Sequence, residues 1–209
     1  MYSICKENHL LLHKKQKRKR EGHTVYENRV ITGPYQLWQF DIKYGRILLH
    51  SKRVPFFFLC AFIDVFTRDI VAYHIGLRCL AADILRTLKV GLIEHKIIKD
   101  HNLVIRSDNG PQMTSKKLSE GIKTLPVVHE FIPPRCPNKN AYIESFFSLV
   151  SVNVTSPRTF LDFRSAHETM VEFIEFYRKK KIHGALNMTI EEFKKRLPLL
   201  NLADYAIRL

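Results

Sequence analysis

Leu103-Val104-Ile105, followed at once by Arg106-Ser107-Asp108-Asn109-Gly110-Pro111-Gln112, is the stretch on which the fold turns. The apolar triplet reads as a buried strand and the Asn-Gly-Pro cluster behind it as a turn, so Asp108 stands where a strand ends. A second segment, Asn138-Lys139-Asn140-Ala141-Tyr142-Ile143-Glu144-Ser145-Phe146-Phe147, puts Glu144 inside a helical pattern, with 35 residues between it and Asp108. A third acid, Asp41, lies upstream in another strand-like run, Leu37-Trp38-Gln39-Phe40-Asp41-Ile42.

Working outward, the chain from Pro34 reads as strand at Tyr35 to Lys43, a polar turn region around Gly45, strand at Pro55 to Asp64 and strand at Ile70 to Leu77. Thr67, Arg68 and Asp69 form the link between the last two. Three consecutive strands on short links predict an antiparallel meander. Ala81 to Ile93 has apolar residues at helical spacing. Then come the strand at Leu103 to Ser107, a short helix around Ser115 to Ile122, a strand at Val127 to Ile132 and the helix that bears Glu144. The order β-β-β-α-β-α-β-α predicts a mixed sheet, its antiparallel half extended by parallel strands through right-handed crossovers. The first strand then sits beside the fourth, which brings Asp41 and Asp108 close.

Further along, Ala166, Met170, Phe173, Ile174 and Tyr177 mark a helix with a packing face, followed by the basic run Arg178-Lys179-Lys180-Lys181. Thr189 and Glu192 form a capping-box pattern that opens a last short helix. The expected organisation is a basic arm over 1–33, a core with C-terminal helices over 34–197 and a tail over 198–209. Leu10-Leu11-Leu12 reads as the end of a helix from a preceding domain.

At 209 residues the chain is long enough for one domain with a real core plus an appendage. A hydrophobic share of 45% excludes disorder throughout, while a net charge of +14 and a pI of 9.7 point to a polyanion, nucleic acid first. The longest apolar run, Val54 to Ile63, is about half of what spans a bilayer and is broken by Pro55. With no signal peptide in view, an intracellular place without membrane is expected. Cys5, Cys60, Cys79 and Cys136 form no CxxC pair and read as reduced thiols. His9 and His13, four residues apart, lack the second ligand pair of a zinc site. In the arm, Lys14-Lys15-Gln16-Lys17-Arg18-Lys19-Arg20 is either a solvated segment or a phosphate contact.

Three converging carboxylates repel one another, so a fold keeps them together only where cations neutralise them. Mg²⁺ or Mn²⁺ suits oxygen ligands and leaves positions for phosphate and water. Two such ions about 4 Å apart serve in-line displacement at phosphorus. Spacing alone does not select Asp41 over Asp64, Asp69 or Asp83, which read as turn or cap residues.

What selects it is likeness. From about Pro34 to Leu197 the sequence resembles the catalytic core of retroviral integrases and, more closely, of bacterial insertion-sequence transposases that share the DDE-type core. The resemblance is carried by Trp38-Gln39-Phe40-Asp41-Ile42-Lys43-Tyr44, by Phe62 to Val71, by Ser107 to Ser115, by Asn140 to Phe147 and by Phe176-Tyr177 with Lys181 to Leu186. It implies an RNase H-like mixed five-stranded sheet flanked by helices, and DNA transposition by metal-dependent cleavage and strand transfer. Asp41, Asp108 and Glu144 would be catalytic and metal-binding, with Asp41 and Asp108 sharing one of two Mg²⁺ or Mn²⁺ ions and Glu144 holding the second. Asn109, Gly110 and Asn140 would shape the site. Met113, Arg106 and Lys139 depart from the residues usual at their places, and none of the three removes a ligand. Lys139 and the arm residues Lys17, Arg18, Lys19 and Arg20 are the candidate DNA contacts, DNA ends and target the expected partners, a homo-oligomer on DNA the expected assembly and the cytoplasmic nucleoid the expected place. Two other readings stay open: a catalytically silent DNA-binding or assembly protein, and an RNase H-like nuclease that cuts without joining.

Overall fold

The computed structural model describes residues 24–25, 28–48, 56–98, 101–133 and 136–209. The arm residues Lys17 to Arg20, Leu10 to Leu12, His9, His13 and Cys5 lie outside the described residues. Two-residue strands β1 (Thr24–Val25) and β2 (Val30–Ile31) precede the meander β3 (Leu37–Arg46), β4 (Phe56–Asp64) and β5 (Ile70–Gly76). There follow α1 (Ala81–Glu94), β6 (Leu103–Ser107), α2 (Lys116–Lys123), β7 (Val127–Phe131), a 3₁₀ turn (Pro137–Asn140) and α3 (Ala141–Val150). The C-terminal part holds α4 (Phe163–Lys179), the small ladder of β8 (Ile182–His183) with β9 (Met188–Thr189), α5 (Ile190–Arg196) and β10 (Ile207–Arg208).

The main sheet has the order β1-β7-β6-β3-β4-β5. β3, β4 and β5 are antiparallel, whereas β6 lies parallel beside β3 and β7 parallel beside β6. The five expected strands are there, the first beside the fourth, and β1 adds a short sixth parallel to β7. One local expectation fails. Gly45 sits inside β3 rather than in a turn, because the ladder continues through Gly45 opposite Phe57 and Arg46 opposite Phe56. The Phe57 ring covers Gly45 so closely that a Cβ there would stand 2.3 Å from Cε1, a space only glycine leaves.

Strand alternation sends Trp38, Phe40, Phe62 and Ile105 to one face, where Ile84, Leu88 and Leu92 of α1 and Leu118 and Ile122 of α2 cover them. On the other face Leu59, Ala61 and Ile63 meet Ile143, Phe146 and Phe147 of α3 and Ala166, Met170 and Ile174 of α4. A register shift after Phe62 lets β5 present both Val71 and Ala72 to the first face. Truncating a core residue such as Leu88 to Ala costs about 2–5 kcal/mol on this kind of packing. Residues 198–209 fold back, with Ile207 opposite Ile31 in a β2–β10 ladder and Leu202, Tyr205 and Ile207 packed on a third apolar cluster around Phe66 and Phe193.

Helix starts follow local chemistry. Ser115 caps α2 by accepting from Leu118 N, Asp162 caps α4 by accepting from Ser165 N at 2.7 Å, and Thr189 with Glu192 forms the expected capping box of α5. Asp83 accepts from Leu80 N at the start of α1. Asp64 takes the amides of Tyr35 and Thr67 in the β4–β5 turn. α3 has no side-chain cap of its own.

Candidate active site

The parallel pairing of Leu37 with Val104 and Gln39 with Arg106 puts Asp41 and Asp108 toward the carboxyl ends of neighbouring strands, where open sheets place their ligands. Asp41 lies within β3 opposite Ala61, Asp108 just past β6, and Glu144 in the exposed first turn of α3. The Asp108 loop is tied down on both sides. Gly110 N donates to Asp108 Oδ1 at 2.9 Å, and a Cβ on residue 110 would come to 3.0 Å of that oxygen. Asn109 Nδ2 donates to the Ile132 carbonyl at 2.6 Å, anchoring the loop to the exit of β7. Asn140, immediately before α3, is buried, and its Oδ1 has no hydrogen-bond partner.

Burial pushes the Asp41 carboxyl up to about 6, and the charges of Asp108 and Glu144 push in the same direction. The Ile42 amide, which donates to Asp41 Oδ1 at 2.7 Å, and the Lys43 ammonium pull it back. Asp41 thus lies within electrostatic reach of both Asp108 and Glu144. A cleft of about 540 Å³ has two of the acids, Asp41 and Glu144, in its wall, with Lys43, Tyr44, Phe147 and Ser148. Lys43 Nζ lies 5.9 Å from the Phe147 ring centroid.

A second cleft, of about 480 Å³, adjoins the first at Tyr44 and is lined by Arg46, Leu48, Thr155, Ser156, Arg158 and Thr159. Thr155 ends the π-helical turn Ser151–Thr155 that continues α3, the kind of irregular turn often found at functional sites. Tyr44 is exposed and packs edge-on against Phe56 with ring centroids 5.4 Å apart.

The donor set fits a hard divalent cation in its chemistry: three carboxylates, one of them held above its usual range by burial and by the other two. Among the described residues, however, no three His, Cys, Asp or Glu side chains are gathered tightly enough to hold one ion between them. Lys139 sits partly buried before α3, its backbone carbonyl taken by Gln39 Nε2 and Arg106 Nη1. Cys60, Cys79 and Cys136 are free thiols.

Sequence reading did not single out Gln39, Glu130, Tyr44, Arg46 or Arg158 as site residues. A signal existed for Gln39: a polar side chain two residues before an acid in an otherwise apolar strand lies on that acid's face. For Arg158, in a loop past α3, the sequence carries no local signal.

Residues 31–137 match the family model described as the integrase core domain. That match takes in Asp41 and Asp108 and stops seven residues short of Glu144. The chain is 23% identical over 185 residues, 88% of its length and 51% of the relative's, to the insertion element IS476 uncharacterized 39.2 kDa protein of Xanthomonas euvesicatoria. It is 24% identical over 167 residues, 79% of its length and 56% of the relative's, to the transposase InsF for insertion sequence IS3A of Escherichia coli. The chain therefore spans about half the length of these curated relatives. In fold it is similar to a chain of the simian T-cell lymphotropic virus intasome complex with a PP2A regulatory subunit, with a TM-score of 0.54 and 16% identity over 84% of this chain and 60% of that one.

Proposed function

The chain belongs to the integrase core domain family, and from that premise we propose that it is the catalytic part of a DNA transposase, cleaving and joining phosphodiesters at Asp41, Asp108 and Glu144. The reading is supported by the family match across Asp41 and Asp108 and by the placing of Asp41 and Glu144 on one cleft, where burial and then the charges of Asp108 and Glu144 raise the Asp41 carboxyl to about 6. Asp41 and Asp108 would hold one Mg²⁺ or Mn²⁺ ion and Glu144 a second. Such ions supply Lewis-acid stabilisation of the phosphoryl oxygens and activate the attacking hydroxyl or water.

This chain's own residues do the rest. Asp41, raised by burial and by the charges of Asp108 and Glu144, would be held ionised by a cation bound between these acids. Lys43, Arg46 and Arg158 line the two joined clefts and meet phosphates, while the exposed Tyr44 ring offers a face on which a base can stack. Lys139 and the arm residues Lys17, Arg18, Lys19 and Arg20 add sequence-independent attraction, in keeping with a net charge of +14. Joining two DNA ends to a target calls for multimers on DNA, and the chain works where the DNA is, in the bacterial nucleoid. Among the described residues no helix is long and apolar enough to cross a membrane.

The test is joining on a branched oligonucleotide that mimics a strand-transfer product, with Mn²⁺ or Mg²⁺, for the native chain and Glu144→Gln. Resealing by the native chain alone supports the transposase. Cleavage without joining replaces it with a nuclease. A second reading, a DNA-binding or assembly protein without chemistry, draws on the loose spacing of the acids; equal inertness of both proteins with DNA binding intact establishes it.

A further inference from the structure

Gln39, Arg106 and Glu130 stand side by side on β3, β6 and β7, Gln39 paired with Arg106 and Arg106 with Glu130 in the two parallel ladders. All three are 0% exposed. Gln39 lies two residues before Asp41 and Arg106 two before Asp108, so the row occupies the acids' face of the sheet, one pleat earlier along the strands. Its bonds converge on the beginning of α3. Gln39 Oε1 accepts from Tyr142 N at 3.0 Å and Ile143 N at 3.2 Å, and Gln39 Nε2 donates to the Lys139 carbonyl at 3.1 Å. Arg106 Nη1 donates to the same carbonyl at 3.3 Å, while its Nε donates to Glu130 Oε1 at 2.5 Å. Glu130 Oε2 in turn accepts from Arg29 Nη2 at 3.2 Å.

The first amides of a helix need acceptors, and here a side chain of the sheet supplies them, since α3 has no cap of its own. Glu144 follows directly after the two amides so held. We propose that Gln39, Arg106 and Glu130 form a positioning row that sets where the Glu144 carboxylate stands over Asp41 and Asp108; this rests on the three-acid reading above. The residue types suit the task. An amide side chain carries on separate atoms the acceptor that receives the helix amides and the donor that goes to the Lys139 carbonyl, and a guanidinium reaches that carbonyl and Glu130 with separate donors of one planar fork.

Gln39→Met keeps the volume and removes both halves of the amide's work. Mn²⁺ affinity is measured by titration calorimetry on the full chain for the unaltered protein, Gln39→Met, Glu144→Gln and the double variant. Gln39→Met is expected to weaken Mn²⁺ binding about tenfold, the scale on which outer-shell partners act, and Glu144→Gln by at least as much. The double variant is expected to be no weaker than Glu144→Gln alone, because the row then has nothing to position. Amide exchange at Tyr142 and Ile143 should quicken in Gln39→Met and return toward the native rate in Gln39→Glu, which retains the acceptor. Should Gln39→Met fail to fold, Gln39→Glu, which loses the donor to the Lys139 carbonyl, and Arg106→Lys, which loses the planar fork shared between that carbonyl and Glu130, take its place in the same cycle. Equal loss with and without Glu144, or unchanged exchange at the two amides, overturns the proposal and leaves the three-acid site standing. Failure of the unaltered chain to bind Mn²⁺, or binding indifferent to Asp41→Asn, overturns both.

Discussion

Asp69, in the link from β4 to β5, and Asp41, at the cleft, are treated in opposite ways. Beyond the β4–β5 turn Asp69 is 1% exposed and fully answered: Arg178 of α4 donates to it at 2.8 Å and Lys194 of α5 donates to its other oxygen. At the cleft, Asp41 is answered by one backbone amide and opposed by two other acids. The first arrangement stitches two C-terminal helices to the sheet. The second leaves a carboxyl that burial, and then two neighbouring acids, hold above its ordinary value, the kind of perturbation that clusters at functional sites.

The comparison breaks most visibly in activity. Asp41→Asn, Asp108→Asn or Glu144→Gln should each cut strand joining by 100-fold or more, on the order of 3 kcal/mol in the barrier, with little change in DNA affinity; initial rates on the branched substrate check it. Asp69→Ala should do the converse, costing roughly 2–3 kcal/mol of stability in urea melts, because the two cations it leaves are partly exposed and can turn to water.

Titration sharpens the contrast. Asp41 has an ordinary value of 3.8 and stands near 6 in the folded chain, so between those values the folded state binds more protons than the unfolded one. Metal-free stability should therefore fall as pH rises through that window, and stay lower above it. Asp41→Asn should remove this slope and gain roughly 1–2 kcal/mol at pH 8 but almost nothing at pH 4. Thermal melts of the two proteins at both pH values decide the matter, and added Mn²⁺ should close the gap by stabilising only the native chain. The smallest effect is expected in the second cleft. Arg158→Ala should leave stability within about 0.5 kcal/mol and lower the salt slope of DNA binding by about one phosphate contact.

Much of this was legible in the chain. The alternation of Trp38 and Phe40 with Gln39 and Asp41, the apolar triplet before Asp108 and the capping box at Thr189 act over a few residues, so element order and five-strand topology follow from local pattern. Gly45 misled because a glycine pressed under an aromatic ring and a glycine in a turn look alike in sequence.

The sequence by itself determined the five long strands, the helices between them, their order and, through motif likeness, which acids to watch. Only the tertiary structure decided that Gln39 caps a helix 103 residues away, that Arg106 meets Glu130 across a ladder, that Asp69 is an anchor for α4 and α5, and that Arg46 and Arg158 share a cleft. The physical reason is reach. Periodicity and capping are short-range effects written in neighbouring residues, whereas a hydrogen bond between distant segments depends on strand register and helix docking, which no single segment encodes.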